Sequence, residues 1–497
     1  MHHLVAFLLV FPLAAAIAGI LLHGRPLARR LIGVGGALAL VVTASLTLIV
    51  VQRGGPVALA FGAWPAPFGI VLIADALSAP LVLMTGLVAT LGALFAAGAV
   101  DDEDQGALFP LLHLMLMGVV GAFLTADLFN LFVWFELMLV ASFVLLALGG
   151  GRAQLEGAIK YVVLSVISST LLLFAVALLY RMTGTLSFAE LALRVPALEE
   201  RGLVRATALL FVASFGIKAA VFPLFFWLPA AYHTPPMAVT AVFSALLTKV
   251  GVYAFLRVLP LLYLSELELL RAVLLPVAAL TMVTGVLGAV AEQDVRRLLA
   301  FHIISQIGYM LFGVGLFTAS GFAAAAFFVV HIMVSKTALF WMAGAIADVQ
   351  GSFHLSRLGG LAAARPGMAL AFLLPAFSLA GLPPLSGFVG KLALLRAGFA
   401  EGRYLVVAVA VVVSLLTLLS MTKIWKEAFW GAPPDDVALR PLGAARAAYL
   451  LLPPVAFAAL AVLLGVAAGP VFTWFEAAGE ELLDPAGYIE AVMGASR

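Results

Sequence analysis

Cysteine is absent from all 497 residues, which excludes disulfides, thiolate metal sites and cysteine-held iron–sulfur clusters. Charge is nearly as scarce. Asp, Glu, Lys and Arg make up 10% of the chain, against about 25% in soluble domains, too little to wet a globular surface. The charges almost cancel, leaving a net +2, so no basic field for nucleic acid is on offer. The eight histidines show no metal-ligand spacing, and neither a metal nor a cofactor is expected. No polar stretch is large enough for a soluble catalytic domain, and any redox chemistry would belong to partners.

What remains is apolar. Hydrophobic residues make up 64% of the chain, in recurring runs of about 20 residues, each long enough to cross the ~30 Å hydrocarbon core as a helix. The chain reads as an all-α polytopic membrane protein. With Gly/Pro-rich and charged stretches taken as loops, about fourteen spans are expected, near 4–22, 31–51, 71–97, 107–125, 128–148, 157–181, 203–230, 237–260, 270–291, 297–317, 321–347, 367–398, 404–429 and 447–475. The first run has no charged segment ahead of it and no small-residue cleavage site after it, so it reads as a retained helix. Arg25, Arg29 and Arg30 behind it favour a cytoplasmic first loop with both termini outside. Asp101, Asp102, Glu103 and Asp104 read as a solvated loop or as a cation-attracting ion entrance. Residues 432–446, with Pro433, Pro434, Asp435 and Asp436, read as a surface loop.

Two spans are interrupted by proline, the seventh by Pro223 and Pro229 and the twelfth by Pro383 and Pro384. Proline frees carbonyls that only protein or water can satisfy, so such breaks mark a protein-lined cavity. Broken helices at corresponding places point to an inverted repeat, here spans 4–8 and 9–13. The expected division is 1–100 for three N-terminal helices, 101–262 and 263–430 for the two five-helix halves, and 431–497 for a loop and last helix. Asp127 and Asp294 each open the second span of a half, and each broken helix carries a lysine.

Cations are sorted by type. All 20 arginines fall in loops or near span ends, whereas six of the seven lysines, Lys160, Lys218, Lys249, Lys336, Lys391 and Lys423, fall inside spans. Arginine keeps its proton almost anywhere; lysine releases it when desolvated and regains it when a carboxylate or water approaches. Glu136, Lys249 and Lys336 lie near span centres, and Lys218 and Lys391 beside the breaks. At roughly 2.5–3.5 kcal/mol each on insertion scales, such groups persist where they face a polar interior. Salt bridges that merely brace the helices do not explain them, because one carboxylate cannot neutralise four lysines.

Glu136 is expected to pair with Lys218, opening and closing as a gate. His331, five residues before Lys336, and His302 are candidate proton relays, each weighed against a packing role. Asp75 either faces the interior, caps a helix or meets a neighbouring subunit. His233 sits at the turn after the seventh span and lines an entrance or simply closes the turn. Lys160 follows Glu156 by four residues, as an interfacial ion pair or an entrance group. Lys423 forms an exit or anchors its helix.

The ordered set Glu136, Lys218, Lys249, Lys336 and Lys391, the broken GLPPLSGFVGKL helix and the segment HTPPMAVTAVFSALLTKVGVY resemble the antiporter-like subunits of respiratory complex I, membrane-bound hydrogenases and Mrp antiporters. FGAWPAPFGIVLIADALSA and LLTLLSMTKIWKEAFWG resemble the D subunit of the Mrp-type multisubunit cation/proton antiporters in particular. That resemblance implies a subunit in a bacterial plasma membrane, assembled with other Mrp subunits including the A subunit and the small subunits, and exchanging protons for a cation, usually Na⁺. Glu136 and Lys218 would gate, Lys249 and Lys336 with His331 would relay, and Lys391 would control the far half-channel. The rival readings are a proton-pumping subunit of complex I or a hydrogenase, or a structural subunit with inactive charges.

Overall fold

The computed structural model describes residues 3–64, 69–432 and 439–495. The expected surface loop at Pro433, Pro434, Asp435 and Asp436 lies outside the described residues.

The chain opens with α1 (His3–Leu21) and α2 (Pro26–Gly54), the proline standing in the first turn of α2 where its missing N–H is no loss. A short antiparallel hairpin follows, β1 (Val57–Ala60) and β2 (Val71–Ala74), the one departure from a purely helical expectation among the described residues. Next come α3 (Ser78–Ala99), α4 (Asp102–Leu124), α5 (Leu128–Ala147) and α6 (Arg152–Thr183). Asp102, Glu103 and Asp104 are the first turn of α4 rather than a loop, placed where the positive end of the helix dipole favours them. A short α7 (Phe188–Arg194) leads to α8 (Arg201–Ala219) and α9 (Trp227–Ala231). Then follow α10 (Met237–Tyr263), α11 (Leu267–Ala291), α12 (Val295–Leu316) and α13 (Ala319–Gln350). The one-turn α14 (Leu361–Ala364) precedes α15 (Pro366–Ala380) and α16 (Ser386–Ala400). The chain closes with α17 (Tyr404–Trp425), α18 (Ala444–Val466), α19 (Ala468–Leu483) and α20 (Ala486–Ala495).

Twelve helical stretches among the described residues are long and apolar enough to cross a membrane, one of them the continuous run Met237–Ala291 through α10 and α11; Pro366–Ala380 is a shorter apolar helix. Every residue of α10 is buried, as is nearly all of α12 and α13. Those three helices are the centre of the molecule, while α1, α2, α6 and α17 show broad apolar faces outward.

Both expected interruptions are present. Ala220, at φ 62°, ends α8, and the freed carbonyls are taken up by Val221 N–H on Gly216 at 3.0 Å and by the Trp227 indole N–H on Ile217 at 3.0 Å. Pro223 occupies the break. Pro229 does not: it lies in the first turn of α9, where no backbone donor is needed. At the second break Gly381, at φ 90°, ends α15, Pro383 and Pro384 fill the gap, and α16 restarts at Ser386.

The repeat is written in backbone bonds. Leu128 N–H bonds Leu186 O and Phe188 N–H bonds Ala126 O, both at 2.9 Å; Val295 N–H bonds Phe353 O at 3.0 Å and Leu355 N–H bonds Gln293 O at 2.9 Å. Every member of the second set stands 167 positions after its counterpart, as Asp294 stands after Asp127, and both aspartates cap the following helix with their side chains. The copies run in opposite directions. The start of α6 (Glu156, Lys160) shares a cleft with the start of α12 (Arg297, Phe301), so α12 begins on the face opposite to that where α5 begins.

The C-terminal segment differs from the expected span 447–475. The crossing helix ends at Val466, and α19 is a separate helix that lays Phe472 and Phe475 on Phe327 of α13, with ring centroids 5.7 and 6.2 Å apart. Its Glu476 and Glu480 stay exposed. An amphipathic face of this kind packs along a bundle rather than through a bilayer.

Candidate functional site

Glu136 is half-buried on α5 and accepts a hydrogen bond from the Ser169 hydroxyl of α6. Lys218, on the last turn of α8, donates to the same hydroxyl at 3.2 Å and lies 5.5 Å from the centre of the Phe135 ring. The expected pair is therefore brought together through a third residue. The break after Ala219 allows this: Gly251 of α10 packs on the turning chain so closely that a Cβ there would stand 2.7 Å from Ala219 N.

Lys249, fully buried at the centre of α10, donates to the Ser244 carbonyl at 2.5 Å and to Thr248 Oγ1 at 3.3 Å. Lys336, fully buried on α13, donates to the Leu299 carbonyl at 2.9 Å and faces the Phe340 ring at 6.0 Å. The two ammonium groups are close enough to act on each other electrostatically. Lys391 of α16 donates to the Ala380 carbonyl at 3.1 Å and Ser414 Oγ at 3.0 Å, over the Tyr309 ring at 4.9 Å. The Ala380 carbonyl is one that the second break sets free. Among the described residues no carboxylate lies within ion-pair distance of Lys249, Lys336 or Lys391, and the hydrogen bonds of Lys218 and Lys249 share no partner.

Two histidines are fully buried among the same helices. His302 shares its Nε2 with Ser420 Oγ at 2.5 Å and lies within electrostatic range of Lys336 and Lys391. His331 holds Ser386 Oγ at 2.9 Å and Ser335 Oγ at 3.3 Å through Nδ1, and feels Lys391. Both keep a second ring nitrogen buried without a protein partner, as do the hydroxyl of Ser305 and the amide of Gln306. Buried polar atoms of this kind are ordinarily satisfied by ordered water.

The remaining candidates lie off this row. Asp75 caps α3 by accepting from Leu77 N–H at 3.1 Å and Ser78 N–H at 2.9 Å, and its other oxygen takes the Arg257 guanidinium at 2.5 Å. It thus both faces the interior and caps. Arg257, near the end of α10, is nevertheless buried, against the Tyr488 ring at 4.8 Å. Lys160 and Glu156 form an exposed ion pair at 2.5 Å and line the cleft that also holds His233, whose Nδ1 is 2.7 Å from the Pro229 carbonyl. Lys423 donates to the Val290 and Glu292 carbonyls at 3.1 and 2.7 Å, anchoring α17 to the C-terminal end of α11. No cluster of metal-ligand type occurs among the described residues. Sequence reasoning missed Ser169, Thr248, Ser414 and Ser420; the available signal was that each is a hydroxyl inside an apolar span.

A family model described as NADH:quinone oxidoreductase/Mrp antiporter, TM, matches residues 125–417. Along its full length the chain is similar to the D subunit of the Na(+)/H(+) antiporter of Alkalihalophilus pseudofirmus, 40% identical over 494 residues, covering 99% of this chain and 100% of the relative. The chain belongs to the family of Mrp antiporter D subunits. Among solved structures, a chain of the Mrp complex from a Dietzia species superposes with a TM-score of 0.93 at 35% identity, covering 99% of each chain. A chain of respiratory complex I from Thermus thermophilus superposes with a TM-score of 0.80 at 27% identity, covering 95% of this chain and 99% of that one. The family and the apolar helices together make this a multi-pass membrane protein.

Proposed function

We propose that the chain is a proton-translocating subunit of a multisubunit Na⁺(cation)/H⁺ antiporter, carrying protons along Glu136, Lys218, Lys249, Lys336, His331 and Lys391, with His302 as a further relay. The observation that carries the reading is that the buried lysines are bound to neutral oxygens, carbonyl and hydroxyl, instead of carboxylates. A lysine braced for packing needs a counter-ion, whereas one that must release and regain a proton needs a partner that accepts without holding. Glu136 is the one carboxylate on the row, and Ser169 couples it to Lys218. Protonation of Glu136 cancels its attraction for the Lys218 ammonium, which then releases its own proton toward Lys249.

The same reading takes the chain as fourteen crossings with halves at 101–262 and 263–430, between an N-terminal unit 1–100 and a C-terminal unit 431–497. It places the chain beside the A subunit and the small subunits in a bacterial plasma membrane. The full-length likeness to the D subunit of a Na(+)/H(+) antiporter and to a chain of an Mrp complex supports that setting. The test is Na⁺-dependent proton movement in everted vesicles carrying the assembled complex. Glu136→Ala and Lys218→Ala are each expected to abolish it without preventing assembly; full activity in both variants overturns the gate.

A further inference from the structure

Beyond Ser169, the inner face of α6 carries polar groups that the lysine row does not use, Tyr161, Ser165 and Ser168. Gly157, Tyr161, Ser165, Ser168 and Ser169 are all buried, at the three- and four-residue spacing that puts them on one helix face. At one end Gly157 lines the cleft of about 370 Å³ that holds Glu156, Lys160, His233 and Arg297. One turn inward, the Tyr161 hydroxyl is 2.7 Å from Ser142 Oγ, and Ser165 follows one turn further on the same buried face. Tyr232, adjacent to His233 in sequence, is fully buried with a hydroxyl that has no partner among the described residues, and the Trp227 ring contacts both it and Tyr161, with centroids 5.7 and 5.2 Å apart. At the far end Ser169 donates to Glu136 and accepts from Lys218. Ser165 and Ser169 are one turn apart, about 6 Å of rise, a gap that one bridging water spans. The repeat adds an independent observation: position 169 is the counterpart, 167 residues earlier, of Lys336. One copy places a hydroxyl where the other places a titratable amine.

We propose that this face of α6 is the half-channel that loads Glu136 from the cleft, with Tyr161, Ser165 and Ser169 as the relay, the last of them also coupling Glu136 to Lys218. The inference rests on the reading of Glu136 and Lys218 as a gate. A proton arriving on the Tyr161 oxygen displaces that hydroxyl's own proton toward Ser165, Ser165 passes one through a bridging water to Ser169, and Ser169, which donates to Glu136, gives its proton to the carboxylate. Each hydroxyl regains a proton, one O–H bond forms on Glu136, and one negative charge is neutralised.

The experiment is the initial rate of Na⁺-dependent proton movement by the assembled complex in everted vesicles, in H₂O and in D₂O. Tyr161→Phe and Ser169→Ala are expected to slow turnover about tenfold, with a larger solvent isotope effect and an unchanged KM for Na⁺. Ser169→Thr, which keeps the hydroxyl, is expected to retain the wild-type rate. Wild-type rate and isotope effect in both Tyr161→Phe and Ser169→Ala, with Glu136→Ala inactive, overturn the half-channel and leave the gate standing. An active Glu136→Ala overturns the gate, and this inference with it.

Discussion

Glu136 and Lys218 do not touch; each is held by the hydroxyl of Ser169, which donates to the carboxylate and accepts from the ammonium at 3.2 Å. A pair joined in this way can exchange partners by rotating one small side chain, with no movement of the backbone. Because both residues serve the same switch, their losses should not add. The double variant Glu136→Ala/Lys218→Ala is expected to be as inactive as either single variant in Na⁺-dependent proton movement in vesicles; transport restored in the double variant would show that the two residues only balance each other's charge.

Asp75 and Arg257 form a buried pair that ties the start of α3 to α10, with Tyr488 of α20 stacked on the guanidinium. Removing one partner strands the other charge, at a cost of about 3–5 kcal/mol. Asp75→Ala should therefore lower the Tm of the detergent-purified complex substantially, and Asp75→Ala/Arg257→Met should recover part of the loss. An unchanged Tm in Asp75→Ala would show that the pair contributes nothing.

Gly387 sits where α16 restarts, and a Cβ there would stand 1.7 Å from the Ser378 carbonyl and 2.8 Å from the His331 ring. Backbone cannot yield by that amount, so Gly387→Ala should displace α16 together with Lys391, and reduce assembled complex on native gels. Gly367→Ala, with nothing within 4 Å of the added methyl, is the matched control and should assemble normally.

Lys160 and Lys423 are both lysines near span ends, yet they differ in what they hold. Lys160 pairs with Glu156 in the open, an arrangement whose loss changes stability by less than about 1 kcal/mol. Lys423 ties down two carbonyls at the end of α11, and leaving them unpaired costs about 1–3 kcal/mol. Thermal unfolding of Lys160→Ala and Lys423→Ala should separate the two, with only the second shifted.

Much of this arrangement was legible in the amino-acid sequence because a bilayer leaves few options for a charge. Lys218, Lys249, Lys336 and Lys391 stood out by depth alone, and the proline breaks marked where two of them would be held. The hydroxyls that partner them did not, since serine is cheap to bury in a helix and carries no hydropathy signal; Ser169 and Ser414 became visible only through geometry. The burial of Arg257 was not legible because its position near the end of α10 looked like an interface, while the partner that keeps it buried, Asp75, is 182 residues away. The end of the last crossing was misjudged because Ala467 and the residues after it remain apolar on the face that packs against α13. Hydropathy does not distinguish a helix lying along a bundle from one passing through the bilayer.

Proton exchange on a buried lysine is the centre of the mechanism, and Lys249, fully buried with its ammonium donating to Ser244 and Thr248 oxygens, isolates it best. Lys249→Arg keeps the charge and the donors but not the ability to release a proton. Measured as Na⁺-dependent proton movement by the assembled complex in everted vesicles, Lys249→Arg is expected to be inactive. Transport at the wild-type rate would contradict proton transfer through that side chain.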